Sequence, residues 1–426
     1  MKIRLKQATL MEILSKGAIA ALTDEAQGDT TVFSPLLKSV KIKVEADTIT
    51  AESATKTLAV QYKHPVSQDE ITIKETGEVM VLAKELFNWT KIQIDADILL
   101  SFKPLDTPQL ISTVDGDAAG KASIKKLGNL EIMSRLQTKN GRKWSLESYD
   151  SSQVTWVNFS KPDAIFEVNQ PLLKEAVKAT AFAVMPIDPN HVKDAFAFQN
   201  YKDKIFLMGG DGVRMALYEL NGVKNNKVKS SYTVPNKVLS SIVELLSDKE
   251  QVMFGFEDKN NKYRAFIYQS NFIIRADTIE QAIVDIKLPP LSLIFDQLAF
   301  VKFAKISKSE LLGTLLSASL VNKKNILYVF KGNQILLHGI SESGMSPSSG
   351  TVSLIECSRD VKVVWSVSHI IDIIRALPDD ELSIMMPTAH TKIFKVISEK
   401  NPNFSYYARE SDINTTKYGS VNTDVV

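Results

Sequence analysis

The chain has 426 residues, 44% of them hydrophobic and 23% charged, the balance of an ordinary water-soluble protein, and the length predicts about three domains. No apolar run approaches the ~20 residues that span a bilayer, which excludes a membrane helix. The formal net charge of +2 excludes a uniformly basic surface, so any contact with nucleic acid must come from positive charge gathered on one face.

In chain order, the first six residues alternate basic and apolar side chains without the continuous apolar stretch of a secretion signal, and read as a strand of a cytoplasmic protein. Apolar positions three and four apart predict amphipathic helices over 9–16 and 81–87, with alternating strands such as 39–44 between them. From 106 to 139, Gly, Ala, Ser and Lys make a polar, weakly patterned insertion. Ser160, Lys161, Pro162 and Asp163 mark a boundary, because proline brings no backbone donor to a helix or ladder. The pattern restarts at Glu167 with a helix over 170–178, strand-like runs that include 213–218 and 264–268, and a second helix over 234–246. Gly209, Gly210 and Gly212 precede a strand rather than a helix, so they predict a tight turn and not a phosphate cradle. The prolines at 289 and 290 mark the next boundary, and helices over 309–316 and 367–374 follow. Residues 341–350 are rich in turn formers and predict a mobile loop, and the polar stretch beyond Tyr407 predicts a tail that is at least partly disordered.

The same order of helix, strands, helix, strands thus occurs three times. It divides the chain into 1–162 with the insertion at 106–139, 163–298, 299–409, and a polar tail at 410–426.

Reactive chemistry finds little support. Cys357 is the single cysteine, and in a strand-like run it reads as a small buried side chain. The five histidines form no cluster with metal-ligand spacing. Ser53 and Lys56 have a Ser-x-x-Lys spacing, but they lie in an alternating stretch without a companion motif. No nucleophile, base and orienting group can be assembled, so neither an enzyme, a metal nor a cofactor is expected. One set remains: Lys16, Lys84, Lys174, Lys178, Lys237, Lys308 and Arg375, on the polar faces of the predicted helices. Any one of them alone is an ordinary solvated residue. Their recurrence at matching places in the three copies marks them as a group.

The runs 33–40, 77–86, 210–216 and 232–237, in that order and with the threefold repeat, resemble the bacterial DNA polymerase III beta subunit, the sliding clamp. The resemblance extends from Met1 to about Tyr407. It implies an α+β fold of three DNA-clamp domains, each with two helices packed on antiparallel sheets, and a head-to-tail homodimer closed into a ring around double-stranded DNA. It also implies a non-catalytic protein without cofactor or metal, whose partners, the DNA polymerase and the clamp loader, dock short peptides in a groove between the second and third domains. On this alignment Lys16, Lys84, Lys174, Lys178, Lys237 and Arg375 meet DNA phosphates. Gly212, Arg214, Met215, Phe256 and Tyr406 form the groove, and Trp144, Leu320 and Val321 enter the dimer contact. A tether that slides needs such charge facing phosphates without reading base edges. The chain departs from the family at Val213, where a histidine is usual, and at Lys193, where a pocket leucine is expected. It also departs at its end, where 406–409 replace a Met-Pro-Met-like terminus and 17 more residues follow. These departures predict altered peptide specificity and a tail that folds over the opening. The competing reading is a clamp-like regulatory or assembly protein that does not encircle DNA.

Overall fold

The computed structural model describes the chain except at 29–33, 94–95, 113–122, 136–141, 155–158, 160–161, 185–194, 229–230, 260–261, 279–289, 321–323, 341–346, 389–391 and 412–426. Among the described residues no helix is long and apolar enough to cross a membrane.

The first run of elements is β1 (Lys2–Lys6), α1 (Gln7–Gly17), the short α2 (Asp24–Gly28) and α3 (Ser34–Leu37), β2 (Ser39–Val44), β3 (Thr48–Ala54), β4 (Leu58–Pro65), β5 (Ile71–Glu75), β6 (Gly77–Leu82), α4 (Ala83–Lys91), β7 (Asp97–Ser112), β8 (Ser123–Arg135) and β9 (Arg142–Tyr149). The second is β10 (Phe166–Asn169), α5 (Gln170–Thr180), β11 (Ala195–Tyr201), β12 (Lys204–Gly210), β13 (Arg214–Leu220), β14 (Tyr232–Pro235), α6 (Asn236–Ile242), β15 (Gln251–Lys259), β16 (Lys262–Gln269) and β17 (Phe272–Thr278). The third is β18 (Phe300–Ser307), α7 (Lys308–Ser319), β19 (Asn325–Lys331), β20 (Gln334–Ile340), β21 (Pro347–Cys357), β22 (Val361–Ser366), α8 (Val367–Ala376), β23 (Glu381–Pro387), β24 (Ile393–Ile397) and β25 (Phe404–Arg409). Strand, helix, strands, second helix and three strands recur in each run.

Two compact units are present, 1–165 with 245–278, and 166–244 with 279–426. In the first, antiparallel pairing runs in the order β15-β16-β17-β4-β3-β2-β6-β9-β8-β7-β1-β5. Helix α1 buries Leu10, Ile13 and Leu14, the side its apolar spacing defines. Its end is pressed so close to β3 that a Cβ on Gly17 would stand 2.2 Å from that of Ala51, so no larger residue fits there. In the second unit a 12-stranded sheet runs β14-β11-β12-β13-β25-β24-β23-β18-β21-β20-β19-β22. Helix α5 begins with a proline in its first turn and buries Leu173, Ala176 and Val177, which leaves Lys174 and Lys178 on the opposite side.

Four expectations change in detail. Where it is described, the stretch read as a polar, weakly patterned insertion is a long hairpin: β7 and β8 stay paired out to Ser112 and Ser123, with a register shift between Pro104 and Gln109. Residues 106–110 are mostly exposed, and a ladder without a buried side needs no apolar alternation. Pro347–Gly350, read as part of a loop, is strand, paired with Leu337–Ile340. The helix predicted over 234–246 is shorter, because Val234 and Pro235 pair with Phe196 and Ala195 in the sheet. Cys357 is half-buried rather than buried, and its Sγ donates to the Arg359 carbonyl at 3.2 Å. Of the tail, Glu410 and Ser411 are described: the Glu410 amide donates to the Lys392 carbonyl and the Ser411 amide to the Val364 carbonyl.

Candidate functional site

A turn opens β13. Gly212 has φ +89°, a conformation that favours glycine, and the Asp211 carboxylate accepts the backbone N–H groups of Val213 and Arg214, both at 3.0 Å. The turn aims the Arg214 guanidinium inward. Its Nε lies 3.1 Å from Asp211 Oδ2 and its Nη1 2.6 Å from Asp372 Oδ2 on α8. Its side chain is only 9% exposed, so the two carboxylates compensate a cation removed from water. His369, one turn earlier on α8, is held below the ordinary imidazole range by burial and by the Arg214 charge, and is therefore neutral at neutral pH.

Beside this cluster is a cavity of about 210 Å³ whose walls include Val213, Met215, Leu293, Ile294, Leu298 and Tyr407. Gly212 and Arg214 also line it, as do Ile393, Ala408 and Arg409. Strand β25 pairs with β13 so that Tyr407 stands opposite Met215, and both join the apolar cluster with Leu291 and Ile294. The cavity is smaller than the ~300–1,000 Å³ of small-molecule sites. It suits one or two apolar side chains of a longer ligand.

Three of the five residues expected in the groove, Gly212, Arg214 and Met215, line this cavity. Tyr406 does not. Successive residues of a strand point to opposite faces, and Tyr406 turns away from the cavity, 0% exposed, with its ring 5.7 Å from Phe182 and 6.3 Å from Phe394. Tyr407, one position on, provides the wall, and burial pushes its phenol up to about 12. Phe256 lies on β15 opposite Ala265, in the other compact unit, and is not among the lining residues. Lys193 is outside the described residues. Of the walls missed from sequence, Leu293 and Ile294 lie in a π-helical turn at Leu293–Gln297 just past Pro290, and Leu298 follows it.

The basic residues divide by their surroundings. Lys84, Lys237 and Arg375 are exposed on α4, α6 and α8. Lys16 is engaged by Glu12 one turn earlier on α1, with Nζ to Oε1 2.8 Å. Lys174 and Lys178 share one carboxylate: Glu244 pairs with Lys174 and lies 3.7 Å from Lys178 Nζ. Lys308 is partly buried and donates to the Leu377 carbonyl at 2.6 Å.

Of the residues expected at a dimer contact, Trp144 is half-buried and stacks on Trp89 of α4, with ring centroids 6.2 Å apart and planes 16° from parallel. Leu320, at the end of α7, is 82% exposed, and Leu316 one turn earlier is exposed as well. Val321 lies outside the described residues. Leu316 was not foreseen, although its i, i+4 spacing from Leu320 is visible in the sequence.

Residues 167–280 match the family model of the DNA polymerase III beta subunit, central domain. No curated protein sequence matches the chain. Among solved structures, the DNA polymerase III subunit beta of Pseudomonas aeruginosa superposes with a TM-score of 0.71 at 13% identity, covering 96% of this chain and 100% of that one. The sliding clamp of Bartonella birtlesii bound to griselimycin gives 0.73 at 14% identity over 97% and 100%. The DNA polymerase sliding clamp of Bacillus subtilis gives 0.72 at 15% over 97% and 99%. Residues 167–280 thus match the central-domain model of the DNA polymerase III beta subunit, and the chain as a whole carries, at low sequence identity, the fold of the beta sliding clamps.

Proposed function

We propose that the chain is a DNA sliding clamp, a non-catalytic processivity factor that closes head to tail with a second copy around duplex DNA. The observation that carries this reading is the agreement of fold over 97% of the chain with a bacterial clamp, together with the central-domain match at 167–280. The domains of this reading are 1–162, 163–298 and 299–409, in line with the threefold recurrence of strand, helix, strands, helix and strands. Lys16, Lys84, Lys174, Lys178, Lys237 and Arg375 face the phosphates. They contact them through charge alone, so binding is indifferent to sequence and falls with salt. The cavity beside Arg214 receives leucine and phenylalanine side chains of short peptides from the polymerase and the loader. Exposed Val213 at its wall, in place of the histidine usual in the family, changes which peptides are preferred. Trp144 with Leu320 and Val321 supply the contact between copies.

Encirclement is tested on nicked circular DNA loaded with the protein and then cut once. A ring stays on the circle at high salt and leaves the linear product. Equal retention on both forms, or a monomer by sedimentation at micromolar concentration, refutes the clamp and favours a regulatory protein built on the same fold.

A further inference from the structure

Lys16, Lys174 and Lys178, all assigned to DNA above, are already engaged by carboxylates, and in both places the arrangement is specific. On α1, Glu12 Oε1 accepts from Lys16 Nζ at 2.8 Å and from the Tyr62 hydroxyl, also at 2.8 Å. Tyr62 and His64 are buried residues of β4. The Tyr62 ring lies 4.6 Å beneath the Lys16 ammonium, and His64 Nδ1 is 3.9 Å from Glu12 Oε2. A rigid strand therefore fixes the carboxylate, and the carboxylate in turn holds the lysine. In the second compact unit Glu244, just past α6, takes both Lys174 and Lys178 of α5. One carboxylate there serves two lysines a helical turn apart. Burial favours the neutral form of Glu12, but hydrogen bonds from Lys16 and Tyr62 outweigh it, and Lys174 lowers the pKa of Glu244, so both are ionised at neutral pH.

We propose that Glu12 and Glu244 attenuate DNA affinity: each pairs the lysines that meet DNA, so a phosphate must displace a carboxylate and is repelled by it, and the grip stays weak enough for sliding. The inference rests on the DNA-encircling reading above. Each pair keeps at least one partner open to water, Glu12 at 43% and Glu244 at 48% exposed, and such pairs are weak and exchange, so the lysines remain available, at a reduced net charge. The Lys16 and Glu12 pair is neutral, and Lys174, Lys178 and Glu244 together carry a single positive charge.

The test is binding of duplex DNA to the full chain, followed by fluorescence anisotropy from low to high salt, for wild type, Glu12→Gln, Glu244→Gln and Lys84→Ala. Each glutamine variant is expected to bind about 2–5-fold more tightly at low salt, the range set by one solvent-accessible ion pair. The salt slope should steepen by roughly one unit for Glu12→Gln and one to two units for Glu244→Gln, as the released lysines neutralise phosphates. The advantage should vanish at high salt. Unchanged or weaker binding by both glutamine variants, while Lys84→Ala still weakens it, overturns the attenuator role and leaves the DNA reading standing. Absence of binding by wild type at low salt defeats the DNA reading itself. Should Glu12→Gln fold poorly through loss of the Tyr62 contact, Glu244→Gln, on an exposed side chain, carries the test alone.

Discussion

Two of the places where cations meet carboxylates in this chain differ in burial, and burial gives the two meetings opposite consequences. Arg214, 9% exposed, is held between Asp211 and Asp372 at 3.1 and 2.6 Å, where neither side can leave without stranding a charge out of water. Lys178, 67% exposed, shares Glu244 at 3.7 Å with Lys174, where water and salt compete for both partners. The same chemistry fixes the wall of a cavity in one place and remains exchangeable in the other. On the clamp reading proposed above, a fixed pair suits a pocket that keeps its shape between partners, and an exchangeable pair suits a surface that releases one phosphate for the next.

The comparison breaks most visibly if Arg214 can be removed without penalty. Arg214→Leu should destabilise the chain by about 3 kcal/mol, because two carboxylates lose their shared cation, whereas Lys178→Ala should stay within about 0.5 kcal/mol of wild type. Urea unfolding of the two variants side by side reads the difference. Similar midpoints would mean that the Arg214 cluster is solvated like the lysines and does not hold the pocket.

The next effect concerns apolar groups on the surface rather than charges. Leu320, 82% exposed, is what an unpaired interface would show. Leu320→Asp and Trp144→Ala should each weaken self-association by about 2 kcal/mol, roughly 30-fold in the dissociation constant. Sedimentation over a concentration series checks this. A variant that melts like wild type but associates equally well would place the contact elsewhere.

Within the pocket, Val213 allows a cleaner experiment than the buried walls. It is 48% exposed, so Val213→Asp should leave the fold intact. A carboxylate beside the apolar cavity should weaken a leucine- and phenylalanine-bearing peptide about tenfold, by the cost of desolvating it. Titration calorimetry with the full chain reads the change. Truncation of Tyr407 would confuse binding with stability, since that ring is core.

A fixed carboxylate also gives the comparison a pH dependence. Burial would raise the Asp379 pKa, but the Ser398 hydroxyl and the backbone N–H groups of Lys400 and Glu399 hold it below the ordinary value of 3.8. With the folded pKa depressed, the stabilisation is complete above the unfolded value and is lost as pH falls through the folded one. Melting temperature should therefore drop as pH is lowered below about 4, and drop less in Asp379→Asn. Parallel curves would show that Asp379 is no better held than a surface carboxylate.

How much of this was legible in the sequence follows the same division between buried pattern and exposed exception. The six main helices announce themselves because each buries one side, as Leu173, Ala176 and Val177 do on α5, and the 3.6-residue period follows from that. The outer hairpin of β7 and β8 did not, since its residues at 106–110 are mostly exposed and nothing forces alternation. The pocket was half legible. Gly212, Arg214 and Met215 sit in a recognisable turn and strand, but the choice between Tyr406 and Tyr407 is set by pairing with β13. In a strand buried on both faces, residue type does not reveal which side points where. The walls at Leu293 and Leu298 lie at the start and just past the end of a π-helical turn after Pro290, too short to show a period. Glu12 stands four residues before Lys16, a spacing any reader can find. Glu244 is 66 residues beyond Lys178, and only folding brings them together.

The smallest effect concerns Lys84 and Arg375, exposed on α4 and α8. Their replacement by alanine should hardly alter stability, because a solvated surface cation contributes little. It should lower the salt slope of duplex affinity by roughly one unit for each residue, through the loss of one neutralised phosphate. The loss should be the same on any DNA sequence, since phosphate contacts carry no base information. Lys174→Ala is the companion measurement, because that lysine is shared with Glu244 and should change the slope by less. If Lys174→Ala reduces the slope as much as Lys84→Ala does, the ion pair with Glu244 does not survive in solution, and the contrast between engaged and exposed cations on these helices is lost.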